Sequence, residues 1–134
     1  MWFQKEFSLA AKKRGFHLVT NEITAAIPEL KSIKCGLLHL FIQHTSASLT
    51  INENADPTVR SDILRRLDKI VPWDDHYEHS EGNAAAHIKV SMLGTSETIL
   101  VEDGKLQLGT WQGIYLAEFD GPRTRRVWVQ FMPE

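Results

Sequence analysis

With 134 residues, 43% of them hydrophobic and 24% charged, the chain has the make-up of one globular domain of the usual ~100–150 residues. A net charge of −2 leaves no concentrated basic footprint for a phosphate backbone, which removes nucleic acid from the expected partners. No stretch approaches the ~18 uninterrupted apolar residues of a membrane helix, and "MWFQKEFSLA" lacks the basic-then-apolar order of a secretion signal.

These features predict a cytoplasmic protein with no membrane contact. Its one cysteine, Cys35, cannot form an intramolecular disulfide, and its place at the start of an apolar run predicts a buried small hydrophobe. No repeat, low-complexity tract or linker divides the chain, so residues 1–134 read as one α+β domain.

In chain order, residues 2–9 alternate Phe3, Phe7 and Leu9 with Gln4, Glu6 and Ser8, the period of a half-buried strand. "FHLVT" after Gly15 is expected to return as its hairpin partner. Thr20 is placed to cap a short helix carrying Ile23, Ile27 and Leu30, with Pro28 unsettling its end. "GLLHLFIQH" predicts a central strand buried on both faces. Asp56 then Pro57 starts a helix whose stripe is Val59, Ile63, Leu67 and Ile70, stopped by Pro72. Asn83 is placed to cap a second helix through "AAAHIKVSML" to Gly94, with a strand as the competing reading. The remainder, "ETILVE", "KLQL", "WQGIYLAEF" and "RRVWVQF" with "DG" and "DGPR" turns, predicts antiparallel strands.

Chemistry concentrates around "HTSASLTINENADPTVRSD", residues 44–62. By strand parity His44 shares the face of Leu38, Leu40 and Ile42 and leaves the sheet where a loop begins. His79 and His87 flank the "SEGN" turn. Three imidazoles with an open fourth position are what a catalytic zinc requires, but no compact ligand motif is present, and spacing alone favours hydrogen-bonded rim residues. Glu53 could be a general base, a metal ligand or the orienter of an imidazole. Asp56 reads as a cap, and Asp62 faces either the same pocket or solvent. Thr45, Ser46 and Ser48 suit either an anion-binding loop or ordinary turn chemistry. Trp111 and Gln112 could stack on a heterocycle and read its edge, and Arg123, Arg125 and Arg126 could grip phosphate. Packing and solvation are the competing readings for these side chains.

The segments "HTSASLTINENAD", "HSEGNAAAHIKVSMLG", "LGTWQGIYLAEFDGPR" and "RRVWVQF" resemble, in order and over nearly the whole chain, the YjbQ family, also called the secondary thiamine-phosphate synthase family. The resemblance implies an α+β fold with a β-sandwich-like antiparallel core and two or three helices, assembled as a homotrimer. It implies metal ligation by His44, His79 and His87, a divalent metal with zinc favoured over magnesium by the imidazoles, and roles for Glu53, Asp62, Thr45 and Ser46 in catalysis. Asn54, Asn83, Trp111, Gln112 and Arg123 would contact a phosphorylated or heterocyclic small molecule. Relatives often carry Asp within "GNAAAHI", and the alanines here remove one candidate acid.

The implied reaction joins a pyrimidine methyl diphosphate to a thiazole phosphate with loss of pyrophosphate. Two alternatives stand beside this metal-dependent synthase: a metal-dependent hydrolase of a small substrate, and a trimeric ligand-binding protein whose metal is structural.

Overall fold

Alternating apolar residues lay the chain into two antiparallel sheets. The computed structural model, which describes residues 2–133, sets β1 (Phe3–Lys12) against β8 (Arg123–Pro133), with Phe3 opposite Phe131 and Leu9 opposite Arg125. β8 also pairs with β3 (Cys35–Ile42), β3 with β5 (Ser96–Glu102), and β5 with the short β6 (Lys105–Leu106). The five-stranded sheet therefore runs β1-β8-β3-β5-β6. A second sheet orders β2 (Gly15–Leu18), β7 (Gln112–Glu118) and β4 (Ala47–Glu53) as β2-β7-β4.

Between the sheets lies the main core, with Leu38, Leu40 and Ile42 from β3, Ile114 and Leu116 from β7, and Val127, Val129 and Phe131 from β8. Three α-helices complete the described chain: α1 (Thr20–Ala26), α2 (Pro57–Ile70) and α3 (Ala84–Leu93). A 3-10 turn over Pro28–Ser32 follows α1. Leu67 of α2 with Ala86 and Val90 of α3 packs on Phe16, Tyr115 and Ala117 from the far side of the smaller sheet. The order of layers is large sheet, small sheet, helices.

The fold is the expected α+β sandwich, and the differences from the sequence reading have local causes. β2 pairs with β7 in the other sheet, so the 15–18 segment is not the hairpin partner of β1. β3 is central, but only its Leu38/Leu40/Ile42 face is buried; Leu37 and His39 are half-buried and Phe41 is exposed. The strand enclosed on both faces is β7, where Ile114 and Leu116 meet one core and Tyr115 and Ala117 the other. A continuous apolar run marks burial in a three-layer fold without saying which strand has both layers.

Thr20 begins α1 rather than capping it, and its hydroxyl accepts the Ile114 N–H at 2.8 Å. Asn83 stands at the N-cap position of α3 but gives that helix no side-chain cap bond. Ile70 is 59% exposed, because the chain leaves the helix there and Val71 takes the buried position. Cys35 is exposed, since its parity is opposite to that of the inward residues 38, 40 and 42. Asp56 caps α2 as expected, accepting from Thr58 N at 2.9 Å and Thr58 Oγ1 at 2.7 Å. These bonds to the ionised carboxylate hold its pKa below the usual value, against a smaller opposing effect of burial.

Candidate functional site

β3 ends at Ile42, opposite Val127 of β8. One rung further, the Arg126 N–H needs an acceptor, and the ring of His44 supplies it at 2.8 Å through Nε2. The imidazole thus prolongs the ladder after the strand itself has turned away. Burial is the first cause that lowers the His44 pKa, followed by the positive charges of Arg125 and Arg126. His44 is consequently held toward its neutral form.

Beneath it lies a buried ion pair. Arg125 takes an inward position on β8 and is 2% exposed, while Glu118 at the end of β7 is fully buried. Arg125 Nε donates to Glu118 Oε1 at 2.7 Å, and Nη2 donates to Glu118 Oε2 and, at 3.0 Å, to Ser46 Oγ. Glu118 Oε2 also accepts the Asp120 N–H at 3.0 Å. Two paired charges with their remaining donors and acceptors engaged make a rigid polar floor. Above it opens a cleft of about 400 Å3 lined by residues 43–46 and 123–125.

α3 and the segment before it bring the other two histidines to this end of the small sheet. Ala85 and Ala86 are fully buried, and side chains this small let the helix approach β4 closely. His87, one turn in, donates from Nδ1 to the Thr45 carbonyl at 2.8 Å. His79 meets His87 edge-to-face, with ring centroids 5.3 Å apart. Asn83 Nδ2 donates to Asp120 Oδ2 at 2.8 Å, and the same oxygen receives Arg123 Nη2 at 3.2 Å. Asn83 Oδ1 is buried without an acceptor's usual donor. His44, Thr45, Ser46 and Arg123 therefore line one cleft; His87 is joined to it through the Thr45 carbonyl and Asn83 through Asp120, with His79 against His87.

A catalytic zinc held by three imidazoles needs all three lone pairs turned to one point. His44 has committed Nε2 to a main-chain N–H, beside two guanidinium groups that repel a cation. No group of three His, Cys, Asp or Glu side chains close enough to hold a metal forms among the described residues. The donor set fits a cation shared between His79, His87 and ligand oxygens; it does not fit a three-histidine tripod.

The other expected residues stand at the opposite end of the small sheet. β4 begins with Ala47 opposite Glu118 and ends with Glu53 opposite Gln112, a separation of roughly 20 Å at the rise of a strand. Asn54 Nδ2 donates to the Gln112 carbonyl at 3.0 Å and the Thr110 carbonyl at 3.2 Å, and Gln112 Oε1 accepts Gly109 N–H at 2.8 Å. These amides clamp the turn that presents Trp111, 64% exposed, to solvent. Asp62 pairs on the surface with Arg65 at 2.8 Å. Glu53 Oε2 and Arg60 Nε are buried without partners, and Tyr115 Oη donates to the Glu53 carbonyl.

A larger hollow of about 770 Å3, lined by Phe3, Ile33, Cys35 and Phe131, has Glu29, paired with Lys5, and Lys34 as its charged lining. The smaller polar cleft is the better candidate because convergent polar groups, not volume, define a reactive site. Glu118 and Asp120 were missed as site residues in the sequence reading. An acid closing the apolar run "GIYLAEF", next to a DG turn followed by arginines, was the available signal.

The fold and cleft define a small α+β sandwich with a polar, histidine-containing site where β3, β8 and α3 meet. The chain belongs to the UPF0047 YjbQ-like family, whose model matches residues 5–134. It is 54% identical over 121 residues to the UPF0047 protein YjbQ of Escherichia coli O157:H7, covering 88% of each chain. With the YugU protein of Bacillus subtilis it shares 50% identity over 115 residues, covering 85% of this chain and 86% of the relative. A solved YjbQ/UPF0047 family structure from Clostridium acetobutylicum superposes with a TM-score of 0.87 at 49% identity, covering 96% of this chain and 99% of the other. A YbjQ-like protein of Sulfolobus solfataricus gives a TM-score of 0.89 at 27% identity, covering 100% and 99%.

Proposed function

We propose that the chain is an enzyme acting on a phosphorylated small molecule, with thiamine phosphate formation as the reaction its family resemblance suggests. The observation that carries the reading is the cleft itself, where the Arg123 guanidinium and the hydroxyl-bearing residues Thr45 and Thr124 gather over a neutralised Arg125–Glu118 floor. In that reaction the carbon–oxygen bond between the pyrimidine methylene and the diphosphate breaks, and the thiazole nitrogen's lone pair forms the new carbon–nitrogen bond. Pyrophosphate leaves with the electron pair. Arg123 and the hydroxyls would stabilise the charge gathering on it.

A divalent cation, when bound, would be held by His79, His87 and diphosphate oxygens and would draw off part of the same charge. The two imidazoles favour zinc in this position, whereas magnesium would keep to the diphosphate oxygens. Cytoplasmic residence and assembly as a homotrimer belong to the same proposal.

The test supplies purified protein with the pyrimidine diphosphate and the thiazole phosphate, with and without a chelator, and follows thiamine phosphate and pyrophosphate separately. Both products should appear, with Arg123→Ala lowering kcat/KM at least tenfold, the scale of one charge-assisted hydrogen bond. Pyrophosphate without thiamine phosphate would replace the synthase by a hydrolase, a reading that the unengaged Nε2 of His87 favours by offering water a base. Neither product, together with a melting temperature that falls on chelation, would leave a ligand-binding protein with a structural metal.

A further inference from the structure

The hydrogen bonds of His44 and His87 fix more than their positions. A main-chain N–H only donates, so His44 Nε2, which accepts from Arg126 N, carries no proton in that bond. Neutral His44 must then hold its proton on Nδ1. A carbonyl only accepts, so His87 Nδ1, which contacts the Thr45 oxygen, carries its proton there as well. The two rings are the same tautomer anchored through opposite nitrogens. His44 has its N–H left over, whereas His87 has a lone pair left over.

We propose that a ligand seated in the cleft extends past Thr45 to His87, which is anchored to that residue's carbonyl, and is held by two imidazoles of opposite character: His44 donates an Nδ1–H to an anionic acceptor, and His87 presents its Nε2 lone pair to a proton donor or a cation. This rests on the phosphorylated-substrate reading and gives it a polarity. His44 is an anion-binding donor and not a metal ligand, because ligation through Nε2 would orphan the Arg126 N–H and ligation through Nδ1 would require an imidazolate. Arg123, tethered to Asp120 by Nη2, reinforces the anionic end. At the other end His79, set edge-on to His87, is the neighbour that completes a cation's imidazole ligands.

The arrangement selects for a ligand with an oxygen-rich anionic group on one side. On its other side the ligand carries an N–H, an O–H or a bound divalent cation. A cation alone would be taken by His87 and would leave His44 untouched. An anion alone would be taken by His44. A diphosphate carrying a divalent cation that accepts imidazole, such as zinc, satisfies both.

Long-range proton–nitrogen correlation spectra of the full chain labelled at histidine nitrogen test this without reference to activity. His44 and His87 should both show a protonated Nδ1 and a pyridine-like Nε2. Equimolar zinc should move the Nε2 signal of His87 and leave that of His44 in place. A protonated Nε2 on His44, or a zinc-induced shift of that nitrogen, would overturn the assignment. Inorganic pyrophosphate should shift the His44 Nδ1 signal. His44→Ala should weaken its binding about tenfold, the loss expected for a hydrogen bond to a charged acceptor. His44→Asn, whose amide restores a donor near Nδ1, should recover most of that loss, and equal losses in both variants would remove the donor role. If pyrophosphate fails to bind the unmodified protein, the phosphorylated-substrate reading falls, while the spectra still decide the tautomers.

Discussion

Arg125 and Glu118 join the two sheets under the cleft, and their energetics follow from burial. Removing one partner leaves the other as an uncompensated buried charge, so Glu118→Ala should lower unfolding free energy by about 3–5 kcal/mol. Replacing both by apolar residues of similar volume, Arg125→Met with Glu118→Leu, should cost less than the single change. Urea unfolding of the three proteins measures this, and a double variant weaker than Glu118→Ala would contradict the ion-pair account. His44 adds a pH term of definite sign. Its folded-state pKa is depressed by burial and by the neighbouring arginines, so below the unfolded pKa of about 6.5 the unfolded chain binds the proton more readily. Stability therefore falls as pH drops through that window and is unaffected by this group above it. Between about pH 7.5 and pH 5.5, the melting temperature should fall further in the natural protein than in His44→Gln; parallel curves would remove His44 as the cause. At this scale residue type was legible in the sequence and orientation was not. "PRTRR" shows three arginines, but only the β1–β8–β3 register decides that Arg125 points inward between the rows of Leu9 and Val127. Asn54 and Gln112 carry the same amide chemistry as a binding site, yet the turn at 109–112 uses it internally.

The elements were mostly legible because their signals are local. Asp56 followed by Pro57 starts α2, and "DG" makes the tight turn between β5 and β6, with Asp103 at φ 50° and Gly104 at φ 74°. What pairs with what was not, since β2 finds β7 about a hundred residues downstream, and no local pattern encodes a partner that distant. Gly104 shows how a turn becomes a tertiary contact. A Cβ there would meet the Lys31 carbonyl oxygen at 2.8 Å and Lys31 Cα at 2.9 Å, so backbone strain and a clash with the 3-10 turn would add. Gly104→Ala should therefore destabilise by about 2 kcal/mol or more, combining ~1–2 kcal/mol for the left-handed conformation with the overpacking term. By contrast, Gly82 has φ 80° with nothing within 4 Å of its Cβ position, and its alanine variant should show the strain alone. Chemical denaturation of the pair separates the two terms, and equal losses would exclude the contact with Lys31.

The layers are asymmetric at the scale of the whole molecule. α2 and α3 cover the outer face of the small sheet, while among the described residues no helix covers the outer face of the large sheet. On that face Leu37 and Phe41 of β3 lie opposite Leu100 and Ser96 of β5 and Met132 and Trp128 of β8. Leu100 is 63% and Phe41 41% exposed, and Trp2 beside the start of β1 is 67% exposed. These apolar groups form two clusters, Leu37/Leu100/Met132 and Phe41/Trp128, separated by the polar rung of His39, Thr98 and Gln130, and exposed clusters of large apolar side chains mark contact surfaces. A second copy of the chain is the occupant that fits the homotrimer proposal, with this face meeting a different part of the neighbour's surface, as closure of a three-membered ring requires. Gln43 lines both the hollow on this face, beside Phe41 and Trp128, and the His44 cleft, so assembly here would set a neighbour's chain close to the reactive end of β3. Light scattering should accordingly give the unmodified protein the mass of an oligomer and give Leu100→Lys with Phe41→Lys the mass of a monomer. Both side chains point away from the core, so the double variant should keep its circular dichroism spectrum. A charged face that leaves the mass unchanged would move the assembly surface elsewhere, to the free edge of β1 or to the helices. If the monomer retains full turnover, the cleft is complete within one chain, and the distant cluster of Glu53, Asn54, Trp111 and Gln112 has no part in the reaction. If turnover is lost with the mass, that cluster reaches the cleft from a neighbouring copy, which resolves the ~20 Å separation that a single chain imposes on it.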